Sequence, residues 1–565
     1  MTAWAEAMTM GDLLMRSAER RPDHPALVFP DAAFSYSEVA ERALLAARGL
    51  AALGVRRGDH VGLLMPNCPD FVFAFFGAQL LGAVAVPLNT RYRVRELAYV
   101  VENADLSVLL TSDIVDDAVD FVERLGEAFD DLAAQPDPAA LALSAAPRLR
   151  SVVLLGDKEP AGLLARREFE ARARTVAPET VLQRRARVRI RDAGLMLFTS
   201  GTTAQPKGCV LTHEAVVRVW SSVAHTLRIT EDDRVWDPLP MFHMSCLGPL
   251  VFTFGLGGTL ISTPHFEPGA ALAQIASERA TWLYSVFPPI AMGLTRHPDF
   301  ATVDRSSVRG LLNVAPRDTL ALLQDAWAPA VQIGGHFGMT ECAGAITCNE
   351  WDATLEQRVA TCGAPLPGVE VRVVDPETGA ELGADTRGEL QIRGYGLFEG
   401  YYKDPAKTAE TFTADGWLRS GDAGTIDADG MVTYLGRIKD MLKVGGENVA
   451  PSEIESHLST HPAIKLVQVV GVPDDRLEEV PAAFVELVPG HALSEDEVID
   501  YCRGQIASFK VPRHVRFVTE WPMSATKIQK FRLRDQLVAE LAPAGPSASA
   551  AQVAATTSGS SRPGR

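Results

Sequence analysis

The chain has 565 residues, which is too long for one ordinary hydrophobic core, and its 47% hydrophobic and 22% charged residues are typical of a soluble globular protein. The net charge of −17 argues against a nucleic-acid partner, because a duplex binder needs a basic face. Seven cysteines without a CxxC pair argue against a disulfide framework or a structural zinc site and favour the reducing cytoplasm. The start, MTAWAEAMTM, has no pattern of a secretory signal.

Strand-like and helix-like runs alternate through the first part of the chain. Residues 59–66 (DHVGLLMP) and 107–110 are predicted strands, and residues 96–104 are a predicted helix. Strands that alternate with helices indicate parallel sheets covered by helices. The acidic, Ala-rich residues 113–147 are predicted to form helices and loops on the surface.

The longest apolar run is FVFAFFGAQLLGAVAVPL, residues 71–88. A membrane-spanning helix needs about 20 apolar residues. Gln79, Gly82 and Pro87 interrupt this run. We therefore expect a buried helix followed by a buried strand, and no integral membrane segment.

The pattern changes after Gly368. The short alternating segments VEVRVVD, GELQIRG and MVTYLG predict a compact β-rich subdomain. Farther on, residues 451–458 are a predicted helix, and residues 466–470 and 482–487 are predicted strands of a smaller unit.

These patterns predict an α/β fold class. The large N-terminal domain, residues 1–437, would combine parallel helix-covered sheets with the β-rich subdomain. Residues 438–541 would form a small α+β C-terminal domain. The low-complexity residues 542–565 are predicted to be a disordered tail.

The strongest local motif is LMLFTSGTTAQPKG, residues 195–208, in which an apolar strand runs into a turn of Ser, Thr and Gly. Hydroxyl groups and exposed amides can donate to phosphate oxygens, and a lysine adds positive charge. The spacing differs from that of the P-loop. The alternative is a solvated turn between a strand and a helix. The candidate phosphate ligands are Thr199, Ser200, Gly201, Thr202, Thr203 and Lys207.

TSGTTAQPKG resembles the signature loop of the adenylate-forming (ANL) superfamily, which includes acyl-CoA synthetases, adenylation domains and firefly luciferase. The resemblance covers residues 10–540. It implies that a carboxylic acid and ATP form an acyl-adenylate, whose acyl group then passes to coenzyme A. It also implies that the small C-terminal domain is mobile and rotates between the two reactions.

Other motifs follow in the family's order and imply site residues. In PLPMFH, His243 would gate the acyl pocket, although a core histidine is the alternative. In GHFGMTE, Phe337 would stack on adenine, Thr340 would hydrogen-bond the α-phosphate, and Glu341 would hold Mg²⁺. Together with NVAP, WLRSGD and YLGRIKD, the implied nucleotide contacts are Ala315, Pro316, His336, Phe337, Gly338, Asp422 and Arg437.

The resemblance also assigns residues of the small domain. Lys439 matches the hinge position. The segment KVGGE resembles the loop that lines the pantetheine tunnel, and this is the best indication of thioester formation. Its residues are Lys443, Gly445, Gly446 and Glu447, of which Lys443 and Gly446 are also candidate catalytic residues. Lys527 in PMSATKIQK is the best match to the catalytic lysine of adenylation.

Two departures from the family pattern affect adenylation. Ala204 stands where the family has glycine, and the glycine before Lys527 is missing. A shift of ~1 Å in a catalytic group can cost ~100-fold in rate. We therefore consider the hypothesis that the enzyme catalyses only CoA transfer, with the adenylate supplied by a partner enzyme.

The acyl pocket is predicted from small residues near these motifs. Small residues leave volume for a bulky acid, such as one of a natural-product pathway, but they also occur wherever helices and sheets pack closely. The candidate lining is His243, Ser245, Cys246, Gly248, Gly334, Ala343, Gly344 and Ala345.

The leading interpretation is an AMP-forming acid–thiol ligase, an acyl-CoA synthetase that uses ATP, coenzyme A and Mg²⁺ in the cytoplasm. An enzyme that loads a carrier protein, a degenerate nucleotide-binding regulatory protein and a luciferase-like oxygenase are the alternatives. Self-association into a homodimer is left open.

Overall fold

The computed structural model describes residues 8–199, 205–315, 317–445, 447–474, 476–523 and 528–541. Within it the chain divides into two compact units, with the division between Lys439 and Asp440. The predicted tail, residues 542–565, lies outside the described residues. No described helix has both the length and the apolar character that crossing a bilayer requires.

The larger unit contains most of the helices and strands. Its helices are α1 Met10–Arg20, α2 Tyr36–Ala52, α3 Pro69–Leu81, α4 Val94–Asn103, α5 Phe121–Ala128, α6 Arg166–Arg174, α7 Pro178–Arg185, α8 His213–Thr226, α9 Met244–Leu256, α10 Pro268–Ser277, α11 Pro288–Arg296, α12 Arg317–Trp327, α13 Leu355–Ala360 and α14 Pro405–Thr411. Its strands are β1 Pro25–Phe29, β2 Ala32–Ser35, β3 His60–Leu64, β4 Val84–Pro87, β5 Leu106–Thr111, β6 Ser151–Leu154, β7 Leu164–Ala165, β8 Ala193–Thr199, β9 Lys207–Thr212, β10 Arg234–Trp236, β11 Thr259–Ile261, β12 Trp282–Val286, β13 Gly310–Asn313, β14 Val331–Gly334, β15 Thr347–Cys348, β16 Ala364–Pro365, β17 Val369–Val374, β18 Gly388–Gly394, β19 Gly400–Tyr401, β20 Leu418–Ile426 and β21 Val432–Arg437.

Two sheets of the larger unit are mainly parallel. The eight-stranded sheet has the order β19-β9-β8-β4-β3-β5-β6-β7, in which β9 and β19 are antiparallel to their neighbours. The seven-stranded sheet has the order β14-β13-β12-β10-β11-β1-β2, and only β2 is antiparallel. The sequence prediction of parallel sheets covered by helices is confirmed.

The apolar run at residues 71–88 forms the predicted buried helix and strand. All four residues of β4 are buried, and α3 is buried from Phe71 to its end. Gly82 closes α3 in the left-handed conformation at φ 70°, which glycine adopts without steric cost. The interruption of this run is therefore the boundary between a helix and a strand.

The acidic segment at residues 113–147 lies less fully on the surface than the sequence predicted. Phe121, Leu125 and Phe129 are buried in a core cluster with the side chains of α4 and β5. The composition of the segment is dominated by its exposed acidic and Ala residues, whereas its few large apolar side chains decide how α5 docks.

The predicted β-rich subdomain is a four-stranded antiparallel sheet, β17-β18-β20-β21. The smaller unit contains helices α15 Pro451–Ser459, α16 Glu495–Cys502 and α17 Lys530–Leu541. Its strands are β22 Leu442–Val444, β23 Glu447–Val449, β24 Ile464–Asp474, β25 Glu478–Leu487 and β26 His514–Phe517. The helix and both strands predicted there are present, although each strand is longer than predicted.

Candidate active site

The signature motif forms a hairpin between β8 and β9. Thr199 ends β8 and lies opposite Lys207, which begins β9. The intervening candidate ligands Ser200, Gly201, Thr202 and Thr203, together with Ala204, lie outside the described residues. Both ends of the loop are therefore held by strands of the eight-stranded sheet.

Tyr401, which the sequence motifs did not identify, connects Glu341 to this hairpin. Tyr401 donates a hydrogen bond from its hydroxyl to Oε1 of Glu341 at 2.7 Å. Its ring lies 5.5 Å from Nζ of Lys207, and its backbone pairs with Cys209 of β9. Burial and the Glu341 carboxylate raise the pKa of Tyr401 well above its usual value, so the phenol remains a proton donor.

Tyr401 can be connected to the site only through the fold. The segment GYYKD, which contains it, has no charge or glycine spacing that marks a ligand. The one indication in the sequence is a pair of adjacent tyrosines, of which Tyr401 ends β19. The antiparallel edge strand β19 brings Tyr401 to Glu341 across a sequence separation of 60 residues.

Thr340 and Glu341 belong to a short 3-10 turn that directly follows the glycine-rich segment. Only 7% of Glu341 is exposed, whereas Thr340 is half-buried. Ala343 ends the turn at φ 56°, a left-handed conformation that is uncommon for alanine. Its carbonyl accepts a hydrogen bond from Nε1 of Trp220 at 2.9 Å, which stabilises this turn.

The candidate adenine contacts lie at the carboxyl ends of β13 and β14. Asn313 ends β13, and it accepts a hydrogen bond from Ser285 of β12 and donates one to Gln332 of β14. Ala315 follows β13, whereas Pro316 lies outside the described residues. Ligands bind at the carboxyl ends of parallel strands, so this edge suits a nucleotide.

Phe337 packs against another aromatic ring that the sequence analysis did not single out. Its ring centroid lies 5.8 Å from that of Tyr434, with 24° between the ring planes. Gly338 is packed so tightly that an added Cβ would lie 2.2 Å from the carbonyl oxygen of Gly344. Burial lowers the pKa of His336 to about 4, so its imidazole is neutral near pH 7.

The candidate ribose contacts, Asp422 and Arg437, are neighbours. They lie directly opposite each other on β20 and β21. Nε of Arg437 is 3.0 Å from Oδ1 of Asp422, whose side chain is only 4% exposed. The backbone N–H of Asp422 also donates to Oγ of Ser420 at 3.0 Å. The sequence motifs GD and GR thus form one cross-strand pair.

The candidate acyl-pocket residues adjoin the GMTE turn. His243 precedes α9 and shares a hydrogen bond with Ser245, at 3.3 Å between Nδ1 and Oγ. Cys246 is buried beside Asp237, and burial raises the pKa of both groups. Met244 of α9 lies beside Gly344, and Trp220 of α8 contacts Ala343 and lies beside both Gly248 and Gly344.

The space beside the glycines that were predicted to leave volume for the acid is occupied by neighbouring protein atoms. An added Cβ would lie 2.0 Å from Cε2 of Trp220 at Gly248, and 2.4 Å from Cγ of Met244 at Gly344. At Gly334 it would lie 1.6 Å from the carbonyl oxygen of Arg358. Close packing, the second of the two interpretations, therefore explains these three glycines.

The smaller unit carries its candidate residues on hairpins. Lys443 is exposed on β22, and its backbone N–H donates to Oε2 of Glu479 at 3.1 Å. Gly445 turns the chain towards β23 at φ 60°, and Glu447 begins β23. Gly446 lies outside the described residues.

Lys527 and the three residues before it lie outside the described residues, but the chain on either side is placed. Met523 and Ile528 form an antiparallel bridge, and the N–H of Gln529 donates to the carbonyl of Pro522 at 2.7 Å. Four residues therefore connect the two sides of this bridge.

Comparison with known proteins places these features in a family. The family described as AMP-binding enzyme matches residues 14–402, and the AMP-binding enzyme C-terminal domain matches residues 453–527. The putative acyl-CoA synthetase YngI of Bacillus subtilis (strain 168) is 34% identical over 544 residues, which cover 94% of this chain and 97% of that protein. The mitochondrial medium-chain acyl-CoA ligase ACSF2 of Homo sapiens is 31% identical, over 94% of this chain and 87% of its own.

Solved structures show the same similarity. The anthranilate CoA ligase AuaEII, in complex with anthranoyl-AMP, has a TM-score of 0.82 and 28% identity, and the match covers 95% of this chain and 98% of that one. The o-succinylbenzoate CoA synthetase of Bacillus subtilis, in complex with its acyl-adenylate, has a TM-score of 0.73 and 26% identity, over 93% and 97% of the two chains. The chain belongs to the AMP-binding enzymes of the adenylate-forming superfamily, in its acyl-CoA synthetase branch, and it is an AMP-forming acid–thiol ligase.

Proposed function

We propose that the larger unit binds an acyl-adenylate along the line from β21 to the β8–β9 hairpin, and that the thiol of coenzyme A takes the acyl group. The contact from Lys207 through Tyr401 to Glu341 carries this proposal, because it joins the signature hairpin to the GMTE turn. The ammonium group of Lys207 lies 5.5 Å from the ring of Tyr401, whose hydroxyl donates to the carboxylate of Glu341. This set suits a phosphate that arrives with a divalent cation.

The nucleotide contacts follow from the same arrangement. Asp422 accepts from the two ribose hydroxyls, and Arg437 keeps that carboxylate oriented. Phe337 and Tyr434 provide aromatic surface for adenine. Thr340 donates to the α-phosphate, and the hairpin from Thr199 to Lys207 holds the remaining phosphates.

A magnesium ion fits the residues present as a companion of the nucleotide. Mg²⁺ prefers oxygen ligands and is usually held by one or two carboxylates plus substrate phosphates. Glu341 is a buried carboxylate, fixed at Oε1 by Tyr401. Among the described residues no cluster of three or more potential metal ligands of the His, Cys, Asp and Glu types occurs. When bound, the ion would neutralise phosphate charge.

Thioester formation is assigned to the smaller unit. Domain alternation about Lys439 would remove Lys527 and present Lys443, Gly445, Gly446 and Glu447 to the pantetheine arm. The exclusion of water would protect the mixed anhydride until the thiol attacks the acyl carbonyl and AMP leaves.

The hypothesis of an enzyme without adenylating activity rests on the loop that contains Lys527. Only four residues connect Met523 and Ile528, which pair with each other, so the lost glycine cannot be recovered by sliding the flanking chain. Transition-state stabilisation by a lysine depends on its placement. An adenylating partner enzyme would then supply the acyl-adenylate.

Assays of the separate half-reactions test this proposal. Pyrophosphate exchange with acid and Mg-ATP measures adenylation, and acyl-CoA formation from preformed acyl-adenylate measures transfer. We expect acyl-CoA to form from preformed acyl-adenylate whether or not the enzyme can make the adenylate itself. Robust pyrophosphate exchange that is lost in Lys527→Ala would contradict the one-step hypothesis, and failure of both half-reactions would contradict the proposed function.

The identity of the acid substrate is a prediction. The bulky natural-product acid that the sequence suggested needs open volume at Gly248, Gly334 and Gly344, and this volume is filled by protein atoms. Of the similar proteins, one is named for medium-chain acids and another for anthranilate. These names differ, and it is the filled volume at the three glycines that favours an acid with a compact apolar body for this enzyme.

Experiments distinguish the CoA ligase from the alternative functions. Turnover with free coenzyme A, compared with turnover on a carrier protein, distinguishes the CoA ligase from a carrier-loading enzyme. Binding of an adenylate mimic without turnover would favour a regulatory protein. A homodimer and a cytoplasmic location are further predictions.

A further inference from the structure

Trp220 of α8 is a buried tryptophan to which neither the motifs nor the mechanism gives a role. Only 1% of its surface is exposed. Its ring centroid lies 6.2 Å from that of Tyr284, 6.0 Å from that of His336 and 6.2 Å from that of Phe252. The indole is therefore enclosed by aromatic rings from the sheet, from α9 and from the glycine-rich segment.

The space around the indole is created by glycines of the predicted acyl pocket. The Cβ of any other residue at position 248 would lie 2.0 Å from Cε2 of Trp220, and at Gly344 it would lie 3.1 Å from Cζ2. Ala343 accepts the indole N–H at 2.9 Å. Three of the residues predicted to line the acyl pocket thus contact one side chain.

The chemistry of an acyl-adenylate places the acyl group near this point. Its carbonyl carbon is joined to the α-phosphorus through a single oxygen, so the acyl group starts beside Thr340. Ala343 and Gly344 follow Thr340 in the same turn. Met244, which follows His243, also lies beside Gly344. The path from the phosphate past His243 therefore leads towards the indole.

We infer that Trp220 forms the end wall of the acyl pocket and limits the size of the acid. This inference rests on the proposed function, because it assumes that the adenylate lies against Thr340. It identifies the substrate class as monocarboxylic acids with a compact apolar body, such as a short chain or a single ring. A longer acid would have to displace an indole that is held by the rings of Phe252, Tyr284 and His336.

Two polar groups of the wall, the indole N–H of Trp220 and the hydroxyl of Tyr284, are paired with protein groups. Nε1 of Trp220 donates to the carbonyl of Ala343, and the hydroxyl of Tyr284 shares a hydrogen bond of 3.4 Å with Nε2 of His336. The imidazole is neutral near pH 7, since burial lowers its pKa to about 4. No cation of this wall would then favour a second carboxylate on the acid.

The test varies acyl length in the wild type and in Trp220→Ala. Acyl-sulfamoyl adenosines of increasing linear chain length are titrated by calorimetry, and the matching acyl-adenylates are assayed with coenzyme A. We expect wild-type affinity and kcat/KM to fall ~10-fold or more for each methylene beyond the limit. In Trp220→Ala we expect the limit to move several carbons higher. Trp220→Phe should move it less.

Trp327 provides a matched control. It is also buried, it also donates its indole N–H, here to Oγ1 of Thr295 at 3.1 Å, and it belongs to a different core cluster. Trp327→Ala should therefore reduce stability without changing the length profile. A shift of the profile in this variant equal to that in Trp220→Ala would overturn the inference, as would an unchanged profile in Trp220→Ala and Trp220→Phe.

Gly248→Ala keeps the inference testable where Trp220→Ala fails to fold. The added Cβ presses on the indole, so the single variant should lower affinity for the longest acid that the wild type accepts. Together with Trp220→Phe or Trp220→Ala the same change should cost less, a coupling that a double-mutant cycle measures. Equal effects in both backgrounds would contradict the contact.

The two readouts separate the inference from the function on which it rests. One outcome is that substitution of Trp220 changes the longest acyl chain that the adenylate mimics can carry, while no acyl-CoA is formed. That outcome would contradict the proposed function and support Trp220 as the end wall. If acyl-CoA is formed and its dependence on acyl length is the same in the wild type and the Trp220 variants, the proposed function stands and the end wall is contradicted.

Discussion

The two units hold their candidate functional residues in opposite ways. In the larger unit, Asp422 and Glu341 are buried, and each has a partner, Arg437 or Tyr401, from another strand. In the smaller unit, Lys443 is exposed on a short strand, and Gly445 forms the turn of a hairpin. The larger unit braces its site, whereas the smaller unit carries Lys443 and Gly445 on one exposed hairpin.

The proposed function gives the two units different tasks, which would explain this difference. An adenylate must be held in one geometry through both half-reactions, and buried, paired side chains provide such preorganised contacts. Groups that act in only one half-reaction must enter and leave, so they belong on turns with few packing contacts. Variants in the two regions should therefore change different measurable quantities.

The largest effect is expected from Gly446→Trp in the smaller unit. An indole in the predicted pantetheine tunnel should lower acyl-CoA formation from preformed adenylate by ~100-fold or more, because the thiol is displaced from the carbonyl. Binding of the adenylate mimic should stay unchanged. Gly490→Trp, at a turn of the same unit with open space around it, is the control. Equal loss of binding and transfer would break the comparison.

Asp422→Asn in the larger unit should weaken binding itself. The loss of charge-assisted hydrogen bonds costs about 1.5 to 3 kcal/mol, which corresponds to ~10- to 150-fold in the Kd of AMP measured by calorimetry. Asp429→Asn, at an exposed position of the same β-hairpin, should change nothing. If Asp422→Asn altered only transfer and left AMP binding intact, Asp422 would not be a ribose contact.

Tyr401→Phe tests the brace on Glu341. The variant keeps the ring beneath Lys207 but removes the hydrogen bond to the carboxylate, so we expect about a 10-fold higher Mg²⁺ requirement for ATP binding. Equilibrium binding of ATP at varied Mg²⁺ measures this. The neighbouring Tyr402, whose hydroxyl donates to Asp105, provides the control Tyr402→Phe. An unchanged Mg²⁺ requirement in Tyr401→Phe would separate Tyr401 from the metal.

The smallest effect near neutral pH is expected from buried histidines of the larger unit. Burial lowers the pKa of His213 from 6.5 to about 4. The unfolded chain binds this proton first, so the contribution is complete above pH 6.5 and is lost as pH falls towards 4, by about 3 kcal/mol at the end. His213→Gln should flatten the acid loss of stability.

Urea unfolding at several pH values, followed by tryptophan fluorescence, measures this effect. The readout reports mainly the larger unit, because Trp521 is the only tryptophan in the sequence after Asp440. His225→Gln, at an exposed position of the same helix α8, is the control. A wild-type stability that stayed constant from pH 6.5 to 4.5 would contradict the lowered pKa.

Local patterns were sufficient for the elements and for the motifs. The apolar run at residues 71–88 predicted α3 and β4, because a helix closed by glycine and a buried strand each leave a local signature. The segments after Gly368 predicted a β-rich subdomain for the same reason, and the structure shows it to be an antiparallel sheet. The motif order placed Asp422 and Arg437 in one site, since each motif keeps its chemistry in a few consecutive residues.

The sequence by itself thus determined the family, several of the elements and the polar residues that we propose to face the nucleotide, because these are recorded in short runs and their spacing. Tertiary structure alone decided that Tyr401 braces Glu341 and that Trp220 fills the space beside Gly248 and Gly344. These contacts join residues 28 to 124 positions apart. Their partners are chosen by the packing of β19 on β9 and of α8 on α9, and packing depends on side-chain volumes from the whole core rather than on any one segment.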